Sequence, residues 1–193
     1  MTDTTTTKPI IAVDVDEVLM PFVPSLLNYY NEKHNDSIPF EQFNSYQFWK
    51  VWGGTSENAA RLVNEFFTTD LFLNQGPLPD AHSILSSLTD QYDFVVVTSR
   101  QHFLRDHTQQ FLDRHFPGIF KELKMGNHYG DEGVKKSKPE LCEEANACLL
   151  IDDSLDYVTH VASHDIKAVL FGDYPWNREA YEEHLSASIR RVT

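Results

Sequence analysis

Two carboxylates stand one residue apart where an apolar run ends, in Ile10-Ile11-Ala12-Val13-Asp14-Val15-Asp16. Close carboxylates repel each other unless something positive sits between them. Asp14 and Asp16 therefore read as half of a site. Candidates for the other half follow along the chain. Thr98 and Ser99 end the run Asp93-Phe94-Val95-Val96-Val97. Lys138 stands just before Pro139. Asp152 and Asp153 end the run Ala147-Cys148-Leu149-Leu150-Ile151. Hard carboxylate oxygens suit Mg²⁺, which keeps several waters and takes a substrate phosphate. A hydroxyl and an ammonium can hold the remaining phosphate oxygens. Together these groups form an inventory for chemistry at a phosphoryl group.

The elements that must position them are strand ends. Runs of Ile, Val, Leu and Ala without helical period read as buried strands of a parallel sheet. Five are expected: Ile10 onward, Asp93–Thr98, Phe120–Met125, Ala147–Ile151 and Lys167–Phe171. Helical patterns fall between them. One carries Ile84, Leu85 and Leu88 behind Asp80 as N-cap; another carries Phe103, Leu104, Phe111 and Leu112. Ser137 and Glu140 fit a capping box with Pro139 in the first turn, which favours Lys138 over Lys135 and Lys136 as the site lysine. An amphipathic helix is expected to close the chain. This alternation predicts an α/β fold, a Rossmann-like, doubly wound, five-stranded parallel sheet with right-handed crossovers. Its ligands belong at the carboxyl ends of the strands.

Between Pro21 and Gln75 no long strand pattern occurs. Leu26, Leu27 and Tyr30 fall at helical spacing, as do Leu62, Val63, Phe66 and Phe67, and Phe40, Phe43, Tyr46, Phe48, Trp49 and Trp52 lie between them. The segment is expected to be a helical cap inserted after the first strand. Its aromatics would form a small core or a stacking wall for a base. The expected division is a core of residues 8–20 and 76–193, a cap of 21–75 and a disordered Thr-rich tail of 1–7.

The chain has 193 residues, 29 acidic against 16 Lys and Arg, and a formal net charge of −13. Such a balance argues against a nucleic acid polymer as partner. A small phosphorylated substrate held by a metal and local positive groups remains compatible. Cys142 and Cys148 make no framework, no apolar run reaches membrane-span length, and the start lacks the apolar region of a signal peptide. A cytoplasmic protein, monomer or homodimer, with no membrane partner, is the expectation. Nine histidines show no zinc spacing, and His128 reads as a loop residue rather than a ligand.

In order, DVDEV, TS, KP and IDD resemble the motif set of the haloacid dehalogenase superfamily, over about Ile10 to Phe171. The resemblance implies Asp14 as nucleophile and Asp16 as general acid and base. It implies Mg²⁺ held by Asp14, the backbone carbonyl of Asp16, and Asp152. Thr98 and Lys138 would fix the phosphoryl oxygens, with Ser99 as a second hydroxyl. Asp153 would complete the outer shell or reach the metal through water, with Asp156 as the fallback acid. Dehalogenases of the superfamily lack the second aspartate, so Asp16 favours a phosphatase. Receiver domains carry similar groups in another order, and a complete motif set argues against a non-catalytic scaffold. The helical insertion ending in Glu65-Phe66-Phe67, the Pro77-Leu78-Pro79 return and Tyr174-Pro175-Trp176-Asn177 resemble the cytosolic 5′(3′)-deoxyribonucleotidase branch. Glu17 stands where that branch has Gly. Together with Gly126-Asn127-His128-Tyr129 it is more similar to uncharacterised plant and fungal relatives. A 5′-nucleotidase is the implied activity, with a phosphatase of another small metabolite as the alternative. The Glu17 side chain is expected to face the cap.

Overall fold

The computed structural model of the chain describes residues 7–130, 132–178 and 185–193. One sheet holds six strands: β1 (Ile10–Val13), β2 (Asp93–Thr98), β3 (Phe120–Met125), β4 (Ala147–Asp152), β5 (Lys167–Phe171) and β6 (Ile189–Val192). They lie in the order β3-β2-β1-β4-β5-β6, and every neighbouring pair is parallel. Sheet growth reverses between β1 and β4. In open α/β sheets ligands bind at such a reversal, beyond the carboxyl ends.

Strand alternation sends side chains to two faces. Ile11, Val13, Phe94 and Val96 join one apolar cluster with Leu85 of α5 (Ala81–Leu88) and with Phe111 and Leu112 of α6 (Arg105–His115). Ala12, Val95, Val97 and Leu150 join a second with Leu141 of α7 (Lys138–Glu144) and Val161, which lies in α8 (Leu155–Ala162).

Residues 21–75 contain α1 (Phe22–His34), α2 (Trp49–Trp52), α3 (Ser56–Phe66) and α4 (Asp70–Leu73). Their buried Phe22, Leu26, Phe66 and Phe72 extend the first cluster, so these helices sit on the α5/α6 side. Ring edges meet ring faces there: Phe22 to Phe66 at 5.7 Å and Phe66 to Phe72 at 5.4 Å. Each such pair adds about 1 kcal/mol beyond its buried area.

The sheet has one strand more than expected, because the chain end returns as β6. It pairs with β5 from Ala168↔Ile189 to Phe171↔Val192. Four residues, two of them Arg, give too short and polar a pattern to read as a strand. The closing helix expected there falls partly on residues 179–184, which lie outside the described residues; the described end is strand. Two of the apolar positions expected on the buried helix faces point to solvent: Ile84 is 57% exposed and Phe103 65%, while their neighbours Leu85 and Leu104 are buried. Asp80 precedes α5 at a φ of 60° and makes no side-chain cap bond.

Candidate active site

The β1 ladder runs one residue past the strand. Asp14 donates its N–H to Ile151 of β4 at 3.0 Å, so the Asp14 backbone is fixed by the sheet. The chain then turns sharply, with the N–H groups of Leu19 and Met20 both on the Val15 carbonyl, at 2.9 and 3.0 Å. Asp16 stands on this turn. Glu17 does not face the cleft. At a φ of 63° it is turned inward, 1% exposed, and its carboxylate accepts from the Val23 N–H at 2.5 Å. It thus serves the start of α1, where Pro21 offers no capping side chain. Its carbonyl accepts the Tyr174 hydroxyl at 2.7 Å.

The loop after β3 clamps the loop after β2. Gly126, His128 and Asn127 donate their N–H groups to the carbonyls of Thr98, Ser99 and Arg100 at 2.7, 3.1 and 3.1 Å. Thr98 is fully buried, and its hydroxyl accepts the Arg100 N–H at 3.3 Å. Ser99 Oγ is buried with no partner.

Lys138 opens α7, and the expected capping box is present: Glu140 accepts the Ser137 N–H at 2.6 Å while the Ser137 hydroxyl accepts from the Glu140 N–H. The Lys138 ammonium is fully buried, 2.8 Å from Asp14 Oδ2 and in direct contact with Asp152 Oδ2. It also lies 4.5 Å from the centre of the Tyr157 ring. Lys136 instead pairs with Glu144 at the surface, and Lys135 is exposed. His128 is a loop residue that bonds the Tyr157 hydroxyl at 3.0 Å and the Lys136 carbonyl at 2.7 Å. At the end of β4, Asp152 Oδ1 accepts the Ser154 N–H at 2.9 Å. Asp153 Oδ2 accepts from the Tyr46 hydroxyl at 2.5 Å and the Trp176 indole at 2.7 Å.

Asp14, Asp152 and Asp153 each bring one carboxylate oxygen within 4.8 Å of the others, and among the described residues no histidine or cysteine joins such a group. Asp14 Oδ1 is buried without a partner. Burial pushes Asp14 up from its usual 3.8 to about 7, with Asp152 and Asp16 adding to the rise and Lys138 opposing it. Burial and the neighbouring Asp152 and Asp14 also hold Asp153 well above the usual carboxylate range. Three buried carboxylates thus outnumber one buried ammonium. An orphaned oxygen, hard donors and uncompensated negative charge all fit a hard divalent cation. Asp156 is exposed on α8, lines the cleft and lies outside this cluster.

The raised Asp14 value carries a stability consequence. The folded chain binds this proton more tightly than the unfolded chain does, so the group favours folding below about pH 4, and that contribution is lost by about pH 7. In a metal chelator, Asp14→Asn should therefore gain thermal stability over wild type as pH rises from 4 to 7. A constant difference in melting temperature across that window would exclude the raised value.

Beside these carboxylates lies a cleft of about 340 Å³. Asp14, Asp16, Asp153, Thr98 and Ser99 line it at the sheet edge, and Phe22, Tyr46, Phe48, Trp49 and Phe67 line it from the inserted helices. Motif spacing missed Arg100, Tyr46 and Trp176, which hold Asp16 and Asp153. For Trp176 a signal existed, since it follows β5 at the same sheet edge. Tyr46 was hidden among five other aromatics of its stretch.

Comparison with known proteins gives a match of residues 8–191 to the family model described as 5′ nucleotidase, deoxy (pyrimidine), cytosolic type C protein. An uncharacterised 32.4 kDa protein from the Gp30-rIII intergenic region of enterobacteria phage T4 is 27% identical over 96% of this chain, which spans 66% of that protein's length. Among solved structures, a haloacid dehalogenase-like family hydrolase from Streptococcus pneumoniae superposes with a TM-score of 0.72 at 9% identity, over 96% of this chain and 94% of its own. A haloacid dehalogenase-type hydrolase from Bacillus subtilis, bound to magnesium, does so at 0.60 and 14% identity, over 97% and 95%. The two structures share the fold, and the family match takes in β1 to β5, β6 as far as Arg191, and each of the carboxylates gathered at β1 and β4. The chain therefore belongs to the 5′ nucleotidase, deoxy (pyrimidine), cytosolic type C family, on a haloacid dehalogenase-like fold.

Proposed function

We propose that the protein is a Mg²⁺-dependent phosphomonoesterase that works through an aspartyl-phosphate, and that its substrates are nucleoside monophosphates. One observation carries this reading: the buried, unpartnered Oδ1 of Asp14 beside an aromatic-walled cleft, with Lys138 on the other oxygen. Asp14 Oδ1 attacks phosphorus and the ester P–O bond breaks. Asp16 gives its proton to the departing oxygen. Asp16 then takes a proton from water, the water oxygen attacks phosphorus, and phosphate leaves with Asp14 restored. Ser99 and Thr98 donate to the phosphoryl oxygens. Lys138 has three N–H groups, two directed at Asp14 and Asp152, which leaves the third for the phosphate. Asp14, Asp152 and the Asp16 carbonyl would hold Mg²⁺, with Asp153 beside them. Bound there, the ion would offset charge on the carboxylates and the phosphoryl group and orient the latter. The magnesium-bound Bacillus subtilis relative supports this choice of ion.

The aromatics from Phe22 to Phe67 suit a flat base, and the family description supports a nucleotide. A net charge of −13 disfavours a nucleic acid polymer. The family's cytosolic type supports a cytoplasmic location, and no described helix is long and apolar enough to cross a membrane. Phosphate release from nucleoside 5′- and 3′-monophosphates and sugar phosphates, with Mg²⁺ or with chelator, tests the reading. Turnover should need Mg²⁺ and favour nucleotides. Faster turnover of sugar phosphates would replace the substrate class and leave the chemistry. No turnover of any ester would overturn the enzyme reading.

A further inference from the structure

Arg100 has no part in the motif reading, yet it is the best-held side chain at the cleft. It is 3% exposed, and its partner Asp16 is 23% exposed. Its Nε donates to Asp16 Oδ2 at 3.0 Å and its Nη2 to Oδ1 at 2.7 Å. The remaining nitrogen, Nη1, donates to the Thr108 hydroxyl of α6 at 3.0 Å, and that hydroxyl donates to the Leu104 carbonyl at 2.8 Å. The guanidinium lies 5.5 Å from the centre of the Phe72 ring, and the Arg100 carbonyl is tied to Asn127. Both ends of the side chain are therefore anchored before it reaches Asp16.

Two roles fit a buried arginine beside a phosphate cleft. One is to bind the phosphate directly. Its three nitrogens already donate to Asp16, Thr108 and Met20 Sδ, and the side chain is 3% exposed, so the guanidinium faces these partners rather than the open cleft. The other role acts through Asp16. A guanidinium fork fixes both oxygens of a carboxylate in one plane, which a lysine cannot do. Among the described residues, Arg100 supplies every side-chain hydrogen bond that Asp16 makes.

We infer that Arg100 is a positioning residue: braced by Thr108, it holds the Asp16 carboxylate in the one orientation from which protons pass to the leaving oxygen and from the attacking water. This rests on reading Asp16 as the general acid and base.

Leaving-group dependence tests it on the full chain with Mg²⁺. The 4-nitrophenolate of 4-nitrophenyl phosphate departs without a proton, whereas the alkoxide of a nucleotide or sugar phosphate needs one. Single-turnover cleavage is measured for 4-nitrophenyl phosphate and for the alkyl ester turned over fastest in the panel above. Arg100→Gln should slow the alkyl ester about 30-fold and the nitrophenyl ester about threefold or less, as loss of positioned acid catalysis requires. Arg100→Lys should fall between. Asp16→Asn should give the same pattern more strongly, and adding Arg100→Gln to it should cost nothing further. Thr108→Val, which removes only the brace, should show the pattern weakly, and it carries the test if Arg100→Gln does not fold. Equal slowing of both esters by the Arg100 and Thr108 variants, with Asp16→Asn still discriminating, would overturn the proposal alone. Equal slowing by Asp16→Asn itself would remove the acid–base reading and this proposal with it.

Discussion

Asp14→Asn is expected to abolish phosphate release from every ester, by about 10⁴-fold or more, the scale seen when a nucleophile is removed. The amide nitrogen cannot stand in for the attacking oxygen, and the geometry singles out Asp14. Asp152 is bound on both oxygens, by Lys138 and by Ser154. Asp153 has one oxygen tied to Tyr46 and Trp176. Asp16 is held in the Arg100 fork. Of the four, Asp14 alone has a buried oxygen with no partner. Acid-quenched wild type should carry covalent phosphate and the variant none. The variant should also melt higher than wild type in chelator at pH 7, since it removes one charge from an overfilled cluster. Residual turnover within tenfold of wild type would sink the nucleophile assignment.

That cluster was legible from sequence because it is built from strand ends. Asp14, Thr98, Asp152 and Asp153 each close an apolar run of four or more residues, and a parallel sheet brings all such ends to one edge. Lys138 was legible for a different reason: the Ser137–Glu140 box fixes where α7 begins, and the first residue of that helix enters the site. The residues that were not legible act through tertiary contacts without local pattern. Arg100 follows Thr98 as a charged loop residue would, and only packing against Thr108 and Phe72 makes it a buried fork. Glu17 was expected to face the inserted segment and does, but what it meets there, the Val23 N–H in the first turn of α1, follows from its positive φ and had no local sequence signal. The sixth strand was lost because β6 draws its stability from the β5 ladder rather than from its own apolar content.

The same contacts link the inserted helices to the chemistry. Tyr46 lies between α1 and α2 and reaches Asp153, 107 residues later in the chain. Trp176, from the loop after β5, shares that oxygen and packs 5.2 Å from the Tyr46 ring. It also stacks on Tyr174 at 4.8 Å, whose hydroxyl is held by the Glu17 carbonyl. One carboxylate of the cluster is therefore oriented by donors from outside the sheet, and the wall of the cleft is hydrogen-bonded to its acidic end.

Lys138→Met should be the most destabilising change at the site. The ammonium is fully buried, and burial alone would drive off its proton; Asp14 and Asp152 outweigh that and hold it well above the usual lysine value. Removing it strips the one buried cation from Asp14, Asp152 and Asp153 while leaving their desolvation in place. Breaking a buried pair in this way costs about 3–5 kcal/mol, and for a chain of this length that lowers the melting temperature by roughly 6–20 °C. The loss should be larger at pH 8 than at pH 5 in chelator, because at low pH the carboxylates can take protons instead. Mg²⁺ should restore part of it, by supplying the missing charge. Combining Lys138→Met with Asp152→Asn should recover more stability than the sum of the two single changes predicts, since the second removes a charge the first left unpaired. Catalysis should fall by about 10²–10³ even where the protein stays folded, the loss expected for one donor to a transition state. Thermal unfolding at the two pH values, alone and with Mg²⁺, measures the first effect, and phosphate release the second. A loss of stability independent of pH and of Mg²⁺ would mean that packing on Tyr157, rather than charge, holds the lysine in place.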